Sequence, residues 1–353
     1  MRILYLGRMN GTSLERSNAL RRLGHEVTHI DPREFLPRTV WVERVTWKFG
    51  GSWFAPLINY GLSAHLSGRF FDLCHVDSGE WITASVIALL REHAPVVVNY
   101  NIDDPFGPRD GPRWRAYRGS AACYDLCVVM REQNVNEARA RGVKNVMRVY
   151  MSADEVSHAP RDLSAQDREL WQSDVLFLGT WFPERGPFLL ELIERGIPLT
   201  IRGPHWHKAP EWNRLKPYWR GGALLGDDYA RAIQCAKVNL GLLSKANRDL
   251  HTTRSLEIPS LGGLLCAQRT SEHLQMYLED QEALFWDDPE ECAAKCRSAL
   301  ENEAERRKIA AAGHARTQRN GHYNEVVMQE ILSRTHACAG ISLDSATRAP
   351  ISS

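Results

Sequence analysis

The chain has 353 residues, which is long for one hydrophobic core and suits two domains of ordinary size. Its 44 basic and 43 acidic residues leave a formal net charge of +1, so no overall field attracts it to nucleic acid or to a membrane. No apolar run approaches the roughly 18–20 residues that a membrane-spanning helix needs, and the amino-terminal sequence lacks a signal-peptide pattern. We therefore expect a cytoplasmic protein with no membrane span and no nucleic-acid partner.

The first half of the chain predicts strands that alternate with helices, the pattern of a doubly wound parallel sheet. Short apolar segments predict strands at residues 3–6, 26–30, 72–76, 96–101, 126–130 and 146–150. Thr12-Ser-Leu-Glu15 predicts a capping box at the start of the first helix, and Gly24 is expected to end that helix. Residues 33–68 contain scattered Trp and Gly and predict few regular elements.

The second half repeats this alternation after a polar stretch, residues 153–172, which predicts a linker. Further strands are expected at residues 174–178, 198–202, 238–242 and 264–267, and the last helices near 289–300, 302–312 and 321–334. Asp288-Pro289-Glu-Glu291 predicts a helix start, because Asp is a good N-cap, Pro fits the first helical position and acids favour the positive end of a helix. The chain is therefore expected to form an α/β fold of two domains.

The eight cysteines predict reduced, mostly buried thiols rather than a metal site. Cys123 and Cys127, like Cys292 and Cys296, are four residues apart, which suits one face of a helix. The close Cys-x-x-Cys pair typical of structural zinc is missing, and no matching His pair accompanies these residues.

Several tryptophans lie in stretches that are rich in Pro and Gly and predict loops. Aromatic rings outside the core often line ligand clefts, although the packing of long loops explains such rings as readily. These residues are Trp41, Trp47, Trp53, Trp206, Trp212 and Trp219.

The segment from Asp249 to Gly263 places an acid, a base and a second acid before a Gly-Gly step. Phosphate binds at helix N-termini, where unpaired N–H groups and a partial positive charge meet it. Arg254 can add a forked cationic contact to phosphate oxygens, and Glu257 can accept two hydrogen bonds from a ribose diol. The alternative is a surface ion pair between Arg254 and Glu257 at i,i+3 spacing, which contributes only about 0.2–0.5 kcal/mol.

The second half, roughly residues 174–330, resembles the glycosyltransferases related to the spore maturation protein CgeB. The first half matches more loosely, through residues 72–79 and 101–105. The segments that carry the resemblance are Phe177-Leu-Gly-Thr, Glu184-Arg185, Ile201-Arg-Gly203, Lys237-Val-Asn-Leu240, Arg254-Ser-Leu-Glu257-Ile-Pro-Ser-Leu-Gly262, Glu282-Ala-Leu-Phe-Trp-Asp287 and Arg306-Arg-Lys-Ile-Ala-Ala-Ala-Gly313.

This resemblance implies a GT-B fold, in which two Rossmann-like, doubly wound domains face a cleft. Residues 1–155 would form the acceptor domain and residues 170–320 the nucleotide-sugar donor domain. A helix at 321–336 would pack back on the first domain, so that domain closure forms the site. The small, polar residues 339–353 would form a flexible tail.

The resemblance also implies roles for residues of the second half. In retaining GT-B enzymes an acid is followed after seven residues by a second Glu, which binds the donor ribose. Glu257 matches that second Glu, and Asp249 stands at the first acid, near the transferred sugar, with a shorter side chain. Arg185 would clamp the donor diphosphate together with Arg254, offsetting the charge on the leaving group. Thr253 and His251 flank this stretch and are further donor-binding candidates.

Candidates in the first half lie after predicted strands. Gly11, in the loop Gly7–Thr12, would let donor phosphates approach the backbone closely. Asp77 stands where related enzymes often place a side chain that contacts donor or acceptor sugar. Asp103 and Asp104 follow a strand at the carboxyl edge where ligands bind, so either is a candidate base, and turn capping by Asp-Asp-Pro is an equal alternative. His75 and His205 are weaker candidates.

No metal and no cofactor is expected beyond the nucleoside-diphosphate sugar, which is a co-substrate. The acidic pairs are adjacent residues, such as Asp103-Asp104, and adjacent residues on a strand point to opposite faces. The predicted function is metal-independent transfer of a sugar to a hydroxyl of a sugar, a lipid-linked or a small-molecule acceptor. The alternatives are a nucleotide-sugar epimerase of GT-B architecture and a non-catalytic sugar-nucleotide-binding protein, which the shortened Asp249 keeps open.

Overall fold

The computed structural model describes residues 1–339. These residues form two compact units: Met1–Val149 together with the described residues that follow Asn324, and Tyr150–Asn324. The chain therefore passes between the units twice, at 149–150 and at 324–325. The expected tail, 339–353, lies outside the described residues except for Ala339.

The first unit contains one parallel sheet of six strands with helices between them. Its strands are β1 (Arg2–Leu6), β2 (Glu26–Ile30), β3 (Leu73–Asp77), β4 (Val97–Asn101), β5 (Leu126–Val129) and β6 (Val146–Arg148). Its helices are α1 (Gly11–Arg22), α2 (Val40–Phe49), α3 (Ala55–Leu66), α4 (Ala84–Arg91), α5 (Arg115–Ser120) and α6 (Glu132–Arg139). The strand order is β2-β1-β3-β4-β5-β6, so the order reverses between β1 and β3. Every residue of β3 and β4 is buried, as expected for a parallel sheet covered on both faces.

The second unit contains a parallel sheet of five strands in the order β11-β10-β9-β7-β8. The strands are β7 (Ser173–Leu178), β8 (Leu199–Arg202), β9 (Ala236–Gly241), β10 (Leu265–Gln268) and β11 (Leu284–Trp286). The helices of this unit are α7 (Ala165–Trp171), α8 (Arg185–Glu194), α9 (Trp212–Leu215), α10 (Gly226–Cys235), α11 (Arg254–Ser260), α12 (Ser271–Met276), α13 (Pro289–Glu301) and α14 (Glu303–Asn320). Helix α15 (Asn324–Ala339) follows, and from Glu325 it belongs to the first unit. The prediction of an α/β fold with two doubly wound parallel sheets is confirmed.

Of the two helix caps predicted from the sequence, one is confirmed and the other is wrong. Asp288 is the N-cap of α13, and its Oδ1 accepts a hydrogen bond from the Glu291 amide at 2.9 Å, as predicted. The capping box predicted at Thr12–Glu15 is wrong: α1 begins at Gly11, after Asn10, and has no side-chain cap hydrogen bond. A capping box occurs instead inside the predicted linker, where Ser164 and Asp167 start α7.

The prediction of few regular elements in residues 33–68 is wrong, because these residues contain helices α2 and α3. Val42 and Thr46 on α2, and Ile58, Leu62 and Leu66 on α3, are buried at i,i+4 spacing. The exposed aromatic residues between these positions hid that periodicity.

The end of the described chain returns to the first unit. From Glu325 the chain groups with residues 1–149, and the Glu325 carboxylate pairs with Arg22 Nε at 2.5 Å. Within residues 1–339 no helix is long and apolar enough to cross a membrane.

Candidate functional site

The first unit has a pocket of about 300 Å³ at the carboxyl ends of β1, β3 and β4. It lies where the strand order reverses, the place at which open α/β sheets bind ligands. The loop after β1 and the start of α1 form one wall, and the loops after β3 and β4 form the other. Gly11 lines the pocket with φ +54°, a left-handed conformation that favours glycine.

Asp77, at the end of β3, is held in a buried network. Its Oδ2 accepts hydrogen bonds from the Tyr5 hydroxyl at 2.5 Å and from Arg16 Nη2 and Nε at 2.7 and 3.0 Å. The Arg16 guanidinium also lies over the Tyr100 ring, 4.5 Å from its centroid. Burial and then the Asp77 charge raise the pKa of Tyr5 well above its usual value. Asp77 also lines the pocket, so these bonds hold its carboxylate at the pocket wall, and the expected contact with a sugar stays a prediction.

Asp103 and Asp104 separate into different environments, although they are adjacent. Asp104 is buried, and its Oδ1 accepts hydrogen bonds from the Gly107 amide at 3.0 Å and from Asn134 Nδ2 at 2.8 Å. Asp104 is therefore the turn-capping residue that the sequence offered as an alternative.

Asp103 lines the pocket with its side chain 34% exposed and lies 3.8 Å from Arg113 Nη2. Burial raises the pKa of the Asp103 carboxyl above its usual range, against the opposing effect of Arg113 and Arg131. Of the two acids, Asp103 is the one whose position suits a base.

The pocket contains charged residues that the sequence did not single out. Arg113 Nε donates to Glu80 Oε2 at 2.6 Å, and Arg8 Nη2 lies 3.5 Å from Glu80 Oε1. The Arg8 guanidinium lies over the Trp81 ring, 4.9 Å from its centroid. The residues before Glu80 formed part of the loose first-half resemblance, but nothing in the local pattern connected Glu80 with Arg113, 33 positions away.

In the second unit, Arg254 is the first residue of α11, and its side chain lies beside the end of β7. Its Nε donates to the Leu178 carbonyl at 3.0 Å, which fixes the guanidinium beside the last residue of that strand. Its Nη1 lies 3.5 Å from Thr253 Oγ1. Among residues 1–339 no carboxylate lies within ion-pair distance of Arg254, so the alternative of an Arg254–Glu257 surface pair is wrong. The half-buried cation keeps donors for an anion.

Glu257 is buried one turn further along α11 and has two partners that the sequence did not reveal. The Tyr229 hydroxyl donates to its Oε2, and His158 Nε2 lies 3.7 Å from its Oε1. His158 Nδ1 accepts a hydrogen bond from the Asp154 amide at 2.8 Å, so in the neutral ring Nε2 carries the proton and faces Glu257. Tyr229 and His158 thus orient the Glu257 carboxylate.

Arg185 does not have the environment of a phosphate clamp. It is buried, and its Nη atoms donate to the backbone carbonyls of Thr180 at 2.9 Å and Leu242 at 2.8 Å. Its guanidinium also lies over the Phe182 ring, 4.5 Å from the centroid. Arg185 therefore joins the loops after β7 and β9.

His251 is also held inside the protein. Its Nε2 accepts a hydrogen bond from the Met151 amide at 2.9 Å, and its Nδ1 lies 2.5 Å from Glu272 Oε2. With both ring nitrogens bonded, His251 has no free atom for the predicted ligand contact. Asp249 follows a 3₁₀ turn and is half-buried, with its amide 3.5 Å from the Ser244 carbonyl.

His75 and His205, the remaining histidine candidates, have different surroundings. His75 is buried and stacked on Tyr5, with ring centroids 4.9 Å apart, and burial lowers its pKa to about 4. His205 stands before a 3₁₀ turn in a left-handed conformation with φ 69°.

Three cysteines meet in the core of the second unit. The thiols of Cys266, on β10, and of Cys292 and Cys296, on α13, lie within 4.8 Å of one another and are fully buried. Hydrogen bonds with the other two thiols, and then burial, raise the pKa of Cys266 well above its usual value. The helix face predicted from the spacing of Cys292 and Cys296 is correct, and the sheet adds Cys266 to it. The same prediction for Cys123 and Cys127 is wrong, because Cys123 ends a 3₁₀ turn and Cys127 lies on β5. Among residues 1–339 this is the one group of three or more His, Cys, Asp or Glu side chains close enough to share an ion.

Comparison with known proteins agrees with this architecture. Residues 185–333 match the family described as "Glycosyl transferase-like". That range runs from α8 into α15 and contains Arg254 and Glu257. A comparison with curated proteins finds no match.

Solved structures extend the likeness to both units. Sucrose-phosphate synthase from Thermosynechococcus elongatus superposes with a TM-score of 0.69 at 13% identity, covering 96% of this chain and 99% of that one. Anabaena HepE in complex with UDP-glucose gives 0.65 at 12% identity, over 96% and 100% of the chains. A glycosyltransferase from Rickettsia africae gives 0.60 at 13% identity, over 97% and 99%. The fold is GT-B. At these identities the likeness establishes the fold alone.

Proposed function

We propose that the protein is a cytoplasmic, metal-independent GT-B glycosyltransferase that moves a sugar from a nucleoside-diphosphate sugar to an acceptor hydroxyl. One observation carries the proposal: Arg254 is a half-buried cation beside the end of β7 that has no ion-pair partner among residues 1–339, and it lies one helical turn from the oriented carboxylate of Glu257. The match of residues 185–333 to a glycosyltransferase-like family supports this assignment. So does a fold shared with a protein that was solved with UDP-glucose.

In the proposed reaction, Arg254 binds the donor diphosphate and Glu257 binds the ribose diol. The acceptor oxygen forms a bond to the anomeric carbon, and the bond from that carbon to the diphosphate oxygen breaks. The diphosphate leaves with the electron pair, and Arg254 offsets the charge that develops on it. The acceptor hydroxyl gives its proton to a general base, which then releases it to water, and Asp103 is the candidate for that base.

The direct test is incubation of the full chain with a panel of UDP-, GDP-, ADP- and dTDP-hexoses. We expect slow release of free nucleoside diphosphate from one donor class, unchanged by EDTA, because in the proposed reaction Arg254 supplies the positive charge that a metal ion would otherwise provide. Release that EDTA abolishes would remove the metal-independent part of the proposal. Epimerised donor would identify an epimerase, and binding without turnover for any acceptor would identify a binding protein.

Asp103→Asn is expected to reduce transfer by about 10²–10⁴-fold, because the amide cannot accept the hydroxyl proton. The raised pKa of Asp103 gives the sign of the pH dependence, because the base is lost when the carboxylate is protonated. As pH is lowered, wild-type activity should therefore fall at a higher pH than the usual pKa of an Asp side chain would give. The measurement is the pH profile of kcat for both proteins, in which the acid limb should disappear with the substitution.

Asp104→Asn is the matched control for this variant, since its remaining oxygen can still accept the Gly107 hydrogen bond. It should keep most of the activity. An Asp103→Asn enzyme with wild-type kcat would show that another group takes the proton.

A further inference from the structure

The chain between Val40 and Phe70 exposes an unusual amount of large apolar side chain. Tryptophan is highly buried on average, yet Trp41, Trp47 and Trp53 are 67%, 50% and 75% exposed. Large contiguous exposed apolar surface marks an interaction site. Eight of the 17 exposed large hydrophobic residues among residues 1–339 fall in this stretch: Val40, Trp41, Trp47, Phe49, Trp53, Leu57, Tyr60 and Phe70.

Helix α2 sorts these residues by face. Val42 and Thr46 are buried against the first unit, and Thr46 Oγ1 accepts a hydrogen bond from Trp81 Nε1 at 2.9 Å. At 3.6 residues per turn, the outward side spans an arc of about 120°. That side consists of Val40, Trp41, Arg44, Trp47 and Lys48.

Helix α3 has the same division. Ile58, Leu62 and Leu66 are buried, whereas Leu57 and Tyr60 are 46% and 80% exposed. Both helices are therefore anchored by one apolar face and leave a second apolar face without cover among the described residues. We define the aromatic-basic surface as the exposed side chains of Val40, Trp41, Arg44, Trp47, Lys48, Phe49, Trp53, Leu57 and Tyr60.

The charge around this surface is positive, although the whole chain is nearly neutral. Residues 33–70 contain five Lys or Arg and two Glu. The acids are Glu34 and Glu43, and Glu43 lies on the flank of α2. The Arg44 guanidinium lies over the Trp41 ring at 5.6 Å from its centroid, and the Lys48 ammonium lies over Phe49 at 5.3 Å.

This mixture of residues fits a lipid surface better than a protein. Trp and Tyr concentrate at membrane–water interfaces, where one part of the ring is apolar and another is wet. Long Lys and Arg side chains extend from such a face to the headgroup phosphates. Protein interfaces share the enrichment in aromatic residues and Arg, but they are depleted in Lys, which here lies on the outward face of α2.

The aromatic-basic surface borders the pocket of the first unit. The Arg113 guanidinium lies over the Trp47 ring, 4.9 Å from its centroid, and Arg113 also lines the pocket and donates to Glu80. Asp31 lines both that pocket and a shallow hollow beside Arg38 and Val40. Asp103 lines the same pocket. If the aromatic-basic surface lies on a membrane, a lipid headgroup that enters the pocket would therefore lie next to Asp103.

We propose that the aromatic-basic surface docks the protein onto an anionic lipid bilayer and that the acceptor is a lipid-anchored molecule whose polar headgroup enters the pocket. The proposed docking is inferred from the exposed residues of the aromatic-basic surface alone. The identity of the acceptor rests in addition on the proposed function.

Flotation of the full chain with vesicles tests the docking. The wild-type protein should float with vesicles of phosphatidylcholine and phosphatidylglycerol, less with phosphatidylcholine alone, and less at high salt. Trp41→Ser with Trp53→Ser should lower vesicle affinity by about tenfold or more, because these exposed rings supply apolar contact. Arg44→Gln with Lys48→Gln should remove the preference for the anionic lipid.

Leu170→Ser with Leu225→Ser is the matched control, since these side chains of the second unit are 64% and 76% exposed and lie outside the surface. It should bind vesicles as the wild type does. Absence of flotation with anionic vesicles, or flotation that survives the double Trp substitution, would overturn the proposal. Dimerisation in solution that the double Trp substitution abolishes would assign the surface to a second copy of the chain and would equally overturn it.

The donor assay separates this proposal from the proposed function. The double Trp variant should release nucleoside diphosphate from the donor at the wild-type rate but lose transfer to vesicle-embedded acceptor lipid. Donor turnover without vesicle binding would overturn the docking alone. Vesicle binding without any donor turnover would overturn the glycosyltransferase function and leave the docking intact.

Discussion

Asp77→Ala is expected to lower the free energy of unfolding by about 3–5 kcal/mol, because it leaves a buried cation without its partner. Arg16 is 2% exposed and donates twice to Asp77 Oδ2, which also accepts from Tyr5. The measurement is urea-induced unfolding followed by circular dichroism.

Asp103→Ala provides the control, since Asp103 belongs to the same sheet edge but is one-third exposed and 3.8 Å from its cation. Asp103→Ala should lower the free energy of unfolding by less than about 1 kcal/mol. A second variant, Arg16→Met in the Asp77→Ala background, should recover part of the lost stability, because it removes the unpaired charge. If the Asp77→Ala protein has wild-type stability but no longer transfers sugar, Asp77 takes part in the reaction and does not stabilise the fold.

Arg254→Ala is expected to weaken the binding of the free nucleoside diphosphate by about 10–150-fold. This range corresponds to about 1.5–3 kcal/mol, the contribution of hydrogen bonds to a charged group. The physical reason is that Arg254 has no ion-pair partner among the described residues, so binding an anion breaks no existing pair. Calorimetric titration with the nucleotide that the donor panel identifies would measure the change.

Arg202→Ala is a suitable control for Arg254, because Arg202 ends β8 at the same edge and packs its guanidinium over Trp171, 4.9 Å from the ring centroid. It should leave nucleotide affinity within about twofold of the wild type. Unchanged affinity in a folded Arg254→Ala protein would remove the donor site from α11 and with it the central support for the proposed function.

The same site shows why some residues were predictable and others were not. Arg254 and Glu257 are three residues apart, so one helix places them together and the local sequence suffices. Tyr229 and His158 reach Glu257 from 28 and 99 positions earlier in the chain, and neither carries a local signal for that contact. Arg185 was predicted in the first loop of the second unit but is the first residue of α8, and only the fold shows that its guanidinium binds the carbonyls of two loops.

By itself, the sequence determined the α/β class, both doubly wound sheets and the capped start of α13 at Asp288, because strand alternation and capping are local properties. It also determined that Asp103 and Asp104 follow a strand at the ligand-binding edge. The tertiary structure alone decided which of these two acids faces the pocket, since that depends on Asn134, 30 positions later. It likewise decided that residues 40–66 form two anchored helices whose aromatic faces point outward, because burial of Val42, Thr46 and Ile58 requires neighbours that the local pattern does not contain.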